Sequence, residues 1–192
     1  MDMGSGQRLA SCSIVCWVGA LALFCGLASR SADAQPYELS PNLATPHAFL
    51  QQRQNSCALG AVGYAVAILS GQRVSQRRLE AMLAPRYPNR DGRPPELGYS
   101  LSDMVFLFDA LGIGSDAGRV STADLTRLTP PLVLRFVRPG LPHFVVLTEW
   151  EESGARIFDP GVGEMMIPKE VLLQRWQESG GSGLLVLPKN TG

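Results

Sequence analysis

The sequence holds little cysteine, little histidine and no excess of charge of either sign. Three of its four cysteines, Cys12, Cys16 and Cys25, fall within residues 1–34, a stretch that reads as a secretory signal. Beyond it the chain keeps one cysteine, Cys57, which excludes an internal disulfide framework. An exported protein normally pairs its cysteines or does without them, so a lone one needs a reason. Lysine plus arginine equals aspartate plus glutamate, and the formal net charge is zero. That balance leaves no electrostatic footprint for nucleic acid. With only two histidines, His47 and His143, an imidazole base has two possible positions. There is no internal repeat and no low-complexity tract.

What is present begins with the signal. Arg8 supplies a positive n-region, residues 12–28 an apolar h-region, and Ala32-Asp33-Ala34 an A-x-A cleavage site. Cleavage there makes Gln35 the mature N-terminus and the protein periplasmic or secreted. The rival reading is an uncleaved membrane anchor, for which the run is at the short end of about 17–25 residues. No later apolar run is long enough to span a bilayer. Membrane contact is then expected only transiently, through the signal. The remainder is long enough for one domain with its own core.

Residues 35–48 carry Pro36, Pro41 and Pro46 and read as an extended arm. Residues 57–69, CALGAVGYAVAIL, are apolar on all sides, which predicts a buried helix. Ser56 is its expected N-cap and Gly71 its stop. Gly60 and Gly63 weaken such a helix by up to about 1 kcal/mol each, tolerable where another backbone packs closely. Residues 75–84 predict an amphipathic helix capped by Ser75. The turn-rich stretch Pro85–Tyr99 follows, long enough to suggest a functional loop. Ser100 and Asp103 form a capping-box pattern ahead of a helix ending at Gly112. Thr122 caps a short helix, ADLTRL.

After Pro131 the texture becomes β-rich. LVLRFV, HFVVLTEW, ARIFD, EMMI and GLLVLP read as strands, with EESG as a hairpin turn. Pro168 opens a helix, KEVLLQRW, at its N1 position. Helices followed by a mostly antiparallel sheet predict an α+β domain. Arg73, Arg77, Arg78, Arg86, Arg90 and Arg93 cluster in sequence. They read as a solvated face and loop in preference to a docking patch for an acidic partner.

Cys57 falls at the first turn of the buried helix. Free backbone N–H groups and the positive dipole end favour a thiolate there. A small buried core residue is the plainer alternative. His143 begins the strand HFVVLTEW, where a ring nitrogen can face a helix N-terminus. His47 lacks a rigid element and reads as a surface residue. Asp159 ends the strand ARIFD, which the EESG hairpin returns beside the His143 strand. It is either a turn aspartate before Pro160 or the group that sets an imidazole tautomer. Gln51 lies six residues before Cys57, where an amide can serve a developing oxyanion. Gln52 and Gln54 are open to the same role.

The order glutamine, cysteine at a helix start, then histidine and aspartate on a hairpin is papain-like. Within residues 49–188 the chain resembles the bacteriocin-processing, double-glycine-leader cysteine peptidases. The resemblance is carried by QQRQNSCALGAVGYAVAIL, GYSLSDMVFLFDALG, TPPLVLRF, HFVVL, DPGVG and LLQRW. It implies a papain-like peptidase domain over 49–188, with 189–192 as a tail. It implies Cys57 as nucleophile, His143 as base, Asp159 as orienting residue and Gln51 in the oxyanion hole. The implied substrate is an exported peptide or protein cut after small residues such as glycine. A secretion system is the implied partner, and no metal or cofactor is required. Many relatives are domains of export ATPases, but this chain has no P-loop pattern and looks like a stand-alone exported relative. One departure is Ala58, where the family usually has glycine; its methyl is expected to crowd the nucleophile turn. That supports a rival reading, a non-catalytic peptide-binding module on the same fold. An acyltransferase with the same triad is a third.

Overall fold

Ten consecutive residues, Cys57 to Val66, are buried in helix α1 (Cys57–Ser70), as its all-round apolar sequence requires. The computed structural model describes residues 46–90, 95–138 and 141–187. The expected signal with Cys12, Cys16 and Cys25, most of the arm, and the tail lie outside the described residues. Helix α1 stops at Gly71, which takes the left-handed conformation at φ 69°. Helix α2 (Gln76–Leu83) is capped by Ser75, whose hydroxyl accepts from Arg78 N. Helix α3 (Leu101–Ala110) begins with the complete capping box of Ser100 and Asp103.

Strands β1 (Gly114–Arg119), β2 (Leu132–Arg138), β3 (Leu141–Trp150), β4 (Ala155–Asp159), β5 (Gly163–Ile167) and β6 (Ser182–Leu187) form one sheet. Their order is β1-β6-β2-β3-β4-β5, and each pairing is antiparallel. The fold class is therefore α+β. The EESG turn closes the β3–β4 hairpin, with Glu151 N donating to Gly154 O at 2.8 Å. Gly154 is required there, since an added Cβ would lie 2.3 Å from Ile167 O.

The sheet is covered on both faces, which explains why its central strands read as continuous apolar runs. Val133, Phe144, Val146 and Phe158 join the core that buries α1, α2 and α3. Leu132, Leu134, Val145, Leu147 and Ile157 alternate with them into a second core, with Leu125, Leu172 and Trp176. That second layer is built by α4 (Thr122–Leu125) and α5 (Lys169–Glu178). Each fully buried aliphatic or aromatic side chain stabilises the fold by roughly 1.5–3 kcal/mol.

Four local expectations need correction. Strand β1 has no counterpart among the expected strands: GSDAGR has almost no β propensity and is held by its ladder to β6. Ser121, not Thr122, caps α4, its side chain accepting from Asp124 N. Pro168 is the N-cap of α5, at ψ 139°, rather than its first helical residue. Ser56 occupies the N-cap of α1 but makes no side-chain bond to the helix. Its hydroxyl turns back to Arg53 instead, donating to Arg53 O at 3.0 Å and accepting from Arg53 N at 3.1 Å.

Candidate active site

The site is assembled where the N-terminus of α1 meets the start of β3. Cys57 is the first residue of α1 and 5% exposed. Its Sγ lies 3.9 Å from the carbonyl oxygen of Pro142, the residue before His143. The turn Arg53–Ser56, closed by Ser56 N donating to Arg53 O, reverses the chain between Gln51 and Cys57.

His143 and Asp159 form a buried pair, His143 Nε2 standing 2.9 Å from Asp159 Oδ1. The sheet register explains the meeting. The β3–β4 ladder pairs Val146 with Phe158, so Asp159 follows opposite Val145. His143 is then the diagonal neighbour of Asp159 on the same strand face, within reach of long side chains. Both side chains are only 7% exposed, so the pair is little screened by solvent.

Asp159 meets the turn that follows it as well as the imidazole. The same Oδ1 accepts from Gly161 N at 2.7 Å, and Asp159 O accepts from Val162 N at 3.0 Å. The DPGVG turn therefore holds the carboxylate rigidly while it faces the imidazole. With Nε2 turned to Asp159, Nδ1 is the ring position on the opposite side.

Gln51 is tied to the same turn, its backbone N donating to Pro160 O at 2.7 Å. Its side-chain oxygen is buried without a hydrogen-bond partner, one of two such side-chain atoms among the described residues. Buried amides are normally satisfied, so an orphan calls for an explanation such as a functional role. The two ends of an amide exchange by a flip, so the same position can present a donor. Gln52 and Gln54 are exposed, whereas Gln51 is half-buried. His47 is exposed as expected, in a 3-10 turn at Pro46–Phe49.

Close packing fixes these segments against one another. Gly60 of α1 faces both of them: an added Cβ would lie 2.5 Å from Phe49 O and 2.8 Å from Pro160 Cβ. Tyr64, one turn further along, stacks on Phe158 with ring centroids 4.0 Å apart. Its hydroxyl donates to the buried carboxylate of Glu164. Burial first, and that carboxylate second, push the Tyr64 hydroxyl well above the ordinary tyrosine range. The tyrosine thus remains a donor, and α1 stays pinned to β4 and β5. Ala58 is fully buried in the helical core, so its methyl points inward rather than crowding an open groove.

Sequence reasoning missed two neighbours. Asn55, two residues before Cys57, donates from Nδ2 to Pro95 O at 2.9 Å. Gly98, at φ 77°, sits against Asn55 O, where a Cβ would approach to 2.9 Å. These contacts bring the end of the Pro85–Tyr99 loop beside the turn that leads into Cys57, with Leu97 67% exposed. The other end is tied to α3, since Arg86 Nε and Tyr87 Oη donate to Asp103 at 2.9 and 2.5 Å. Arg86 is thus a structural residue within an arginine cluster read as solvated; Arg73, Arg77 and Arg78 are exposed. No grouping of side chains able to hold a metal ion occurs among the described residues.

Solved structures similar to this chain include peptidase domains. A double-glycine-motif protease from an AMS/PCAT transporter, bound to its leader peptide, matches with a TM-score of 0.59 at 17% identity. The match covers 72% of this chain and 89% of that one. The peptidase domain of Streptococcus ComA, a bifunctional ABC transporter, matches with a TM-score of 0.58 at 19% identity, covering 72% and 96%. A C39-like peptidase from Bacillus anthracis matches with a TM-score of 0.53 at 15% identity, covering 77% and 98%. No curated protein matches the chain. The sequence model of the peptidase C39 family matches residues 47–191, which spans the helices, the sheet and the whole site. The chain therefore belongs to the peptidase C39 family of cysteine peptidases.

Proposed function

We propose that this protein is an exported cysteine endopeptidase that cleaves a peptide or protein after small, glycine-type residues. The observation that carries the reading is the buried His143–Asp159 pair beside the helix N-terminus bearing Cys57. Asp159 holds the Nε2–H of His143 and so directs Nδ1 to the acid–base work. Nδ1 accepts the Cys57 proton as the sulfur attacks the scissile carbonyl. The Gln51 amide and the Cys57 backbone N–H bind the oxyanion of the tetrahedral intermediate. Collapse of that intermediate breaks the C–N bond, and His143 returns the proton to the departing amine. Water, deprotonated by His143, then releases the acyl group from the sulfur. Each step uses groups of this chain and water.

The relatives support this substrate class. One is described as a double-glycine-motif protease with a leader peptide bound, another as the peptidase domain of a transporter. An exported peptide, handed on or received by a secretion system, suits a chain whose residues 1–34 read as a secretory signal. A periplasmic or secreted location belongs to the same proposal.

The rival reading, a peptide-binding module without catalysis, rests on Ala58. Its complete burial removes the steric objection it was expected to raise. One experiment separates the two. Glycine-glycine peptides are offered to the wild type, Ala58→Gly and Cys57→Ala, with iodoacetamide alkylation at pH about 6 alongside. The peptidase reading expects cleavage by the first two within a few-fold of each other, and none by Cys57→Ala. Ala58→Gly should cost up to about 1 kcal/mol of stability, the propensity difference in a helix. Cys57 should alkylate faster than a free thiol with a pKa of about 8.5, and His143→Ala should slow it. Peptide binding without cleavage in any form establishes the second reading.

A further inference from the structure

We infer that Gln76 is a positioning residue for Gln51, the side chain assigned above to the oxyanion; the inference rests on that peptidase reading. Residues 50–52 belong to no helix or strand, so their backbone groups must find partners elsewhere. Gln76, the buried first residue of α2, supplies them. Its Nε2 donates to Leu50 O at 2.6 Å and more weakly to Phe49 O at 3.5 Å. Its Oε1 accepts from Gln52 N at 3.3 Å. One amide thus brackets Gln51 on both sides in sequence, while Gln51 N is committed to Pro160 O.

The side-chain oxygen of Gln51 has no hydrogen bond to steer it. The direction of its amide is therefore set by where its Cα is held, and Gln76 is what holds the flanking peptides. The helix bearing Gln76 is fixed in turn by the Arg53–Glu80 ion pair at 3.1 Å, which returns to the same turn. A shift of about 1 Å in a positioned group costs on the order of 100-fold in rate. Loosening this bracket should then act on the transition state, although Gln76 touches neither the substrate carbonyl nor Cys57.

The test is a double-mutant cycle in the full chain: wild type, Gln76→Ala, Gln51→Ala and the double variant, each assayed on a glycine-glycine peptide. Iodoacetamide alkylation of Cys57 is measured on the same four proteins, because alkylation develops no oxyanion. Gln76→Ala should lower kcat about 10- to 100-fold with KM changed only a few-fold. Its alkylation rate should stay at the wild-type value. In the Gln51→Ala background the same substitution should change kcat by no more than about twofold. Gln76→Glu keeps an acceptor for Gln52 but sets a carboxylate against Leu50 O, so it should lose at least as much as Gln76→Ala. Gln76→Met, which keeps the volume, replaces Gln76→Ala in the cycle if the latter unfolds. A full loss in the Gln51→Ala background, or an equal loss of alkylation, makes Gln76 a structural residue and overturns the inference. A wild type that cleaves no peptide overturns the peptidase reading itself, and the role of Gln76 with it.

Discussion

At Gly60 the helix propensity scale and the packing give opposite answers. Alanine favours a helix over glycine by about 1 kcal/mol. Yet its Cβ would lie 2.5 Å from Phe49 O and 2.8 Å from Pro160 Cβ, and the first of these is backbone that cannot rotate aside. Overpacking of this kind costs about 1–3 kcal/mol, so packing wins. Gly60→Ala should lower the melting temperature and, by parting the segments that bear Gln51 and Asp159, lower peptide turnover further than stability alone explains. A Gly60→Ala variant as stable as the wild type would show that α1 can move off those segments at no cost. Asp159 makes a related point: its carboxylate reaches His143 because Gly161 N and the turn after it hold it there.

At the scale of the element, the start of α3 is a polar cluster built around one buried carboxylate. Asp103 accepts from Ser100 N, Ser100 Oγ, Tyr87 Oη and Arg86 Nε. Burial alone would raise its pKa. The bonds from Tyr87, Ser100 and Arg86 outweigh burial and hold the carboxyl below the ordinary aspartate value. The same carboxylate, after burial, pushes the Tyr87 hydroxyl up to about 12. A depressed folded pKa contributes stability that is present above the unfolded value of about 3.9 and is lost as pH falls through the lower folded value. Asp103→Asn should therefore be clearly less stable than the wild type near neutral pH. The gap between their urea midpoints should narrow as the pH is taken below about 3.9. A gap that stays constant over that range would mean that the charge of Asp103 contributes nothing. Helix α1 shows the complementary case. Its Ser56 hydroxyl is spent on Arg53, so the helix that begins at Cys57 starts without a side-chain cap.

Across the whole molecule, the loop Pro85–Tyr99 joins two regions that the chain order keeps apart. One end is bonded to α3 through Arg86 and Tyr87, the other to the turn before Cys57 through Asn55. Deleting residues 91–94 should leave the fold intact, because loop closure changes by only about 0.6 kcal/mol per doubling of length. It should change peptide turnover or binding more than the melting temperature, since Leu97 is presented beside the turn before Cys57. A large fall in melting temperature with turnover unchanged would assign the loop to the fold alone. The two-sided covering of the sheet operates at this scale too. It buries β2 and β3 on both faces and so holds the end of β3 that carries Pro142 and His143.

The amino-acid sequence by itself determined the elements whose signals are local. The apolar run 57–69 with Gly71 behind it, the Ser100–Asp103 box, the EESG turn and the β-rich runs after Pro131 each carry their cause within a few residues. So do the positions of Cys57 at a helix start and of Asp159 before a proline turn, which is why the site was legible as a list. Tertiary structure decided what depends on long-range partners. Strand β1 exists through its ladder to β6 and has no propensity of its own. That Gln51 is half-buried against the Pro160 turn, while Gln52 and Gln54 are exposed, came from the fold as well. Gln76 carries no signature as a polar residue at the start of an amphipathic helix, because its importance lies in backbone groups 24 to 27 residues away. Ala58 required the fold as well, since only the packing of α1 tells whether its methyl faces a groove or the core.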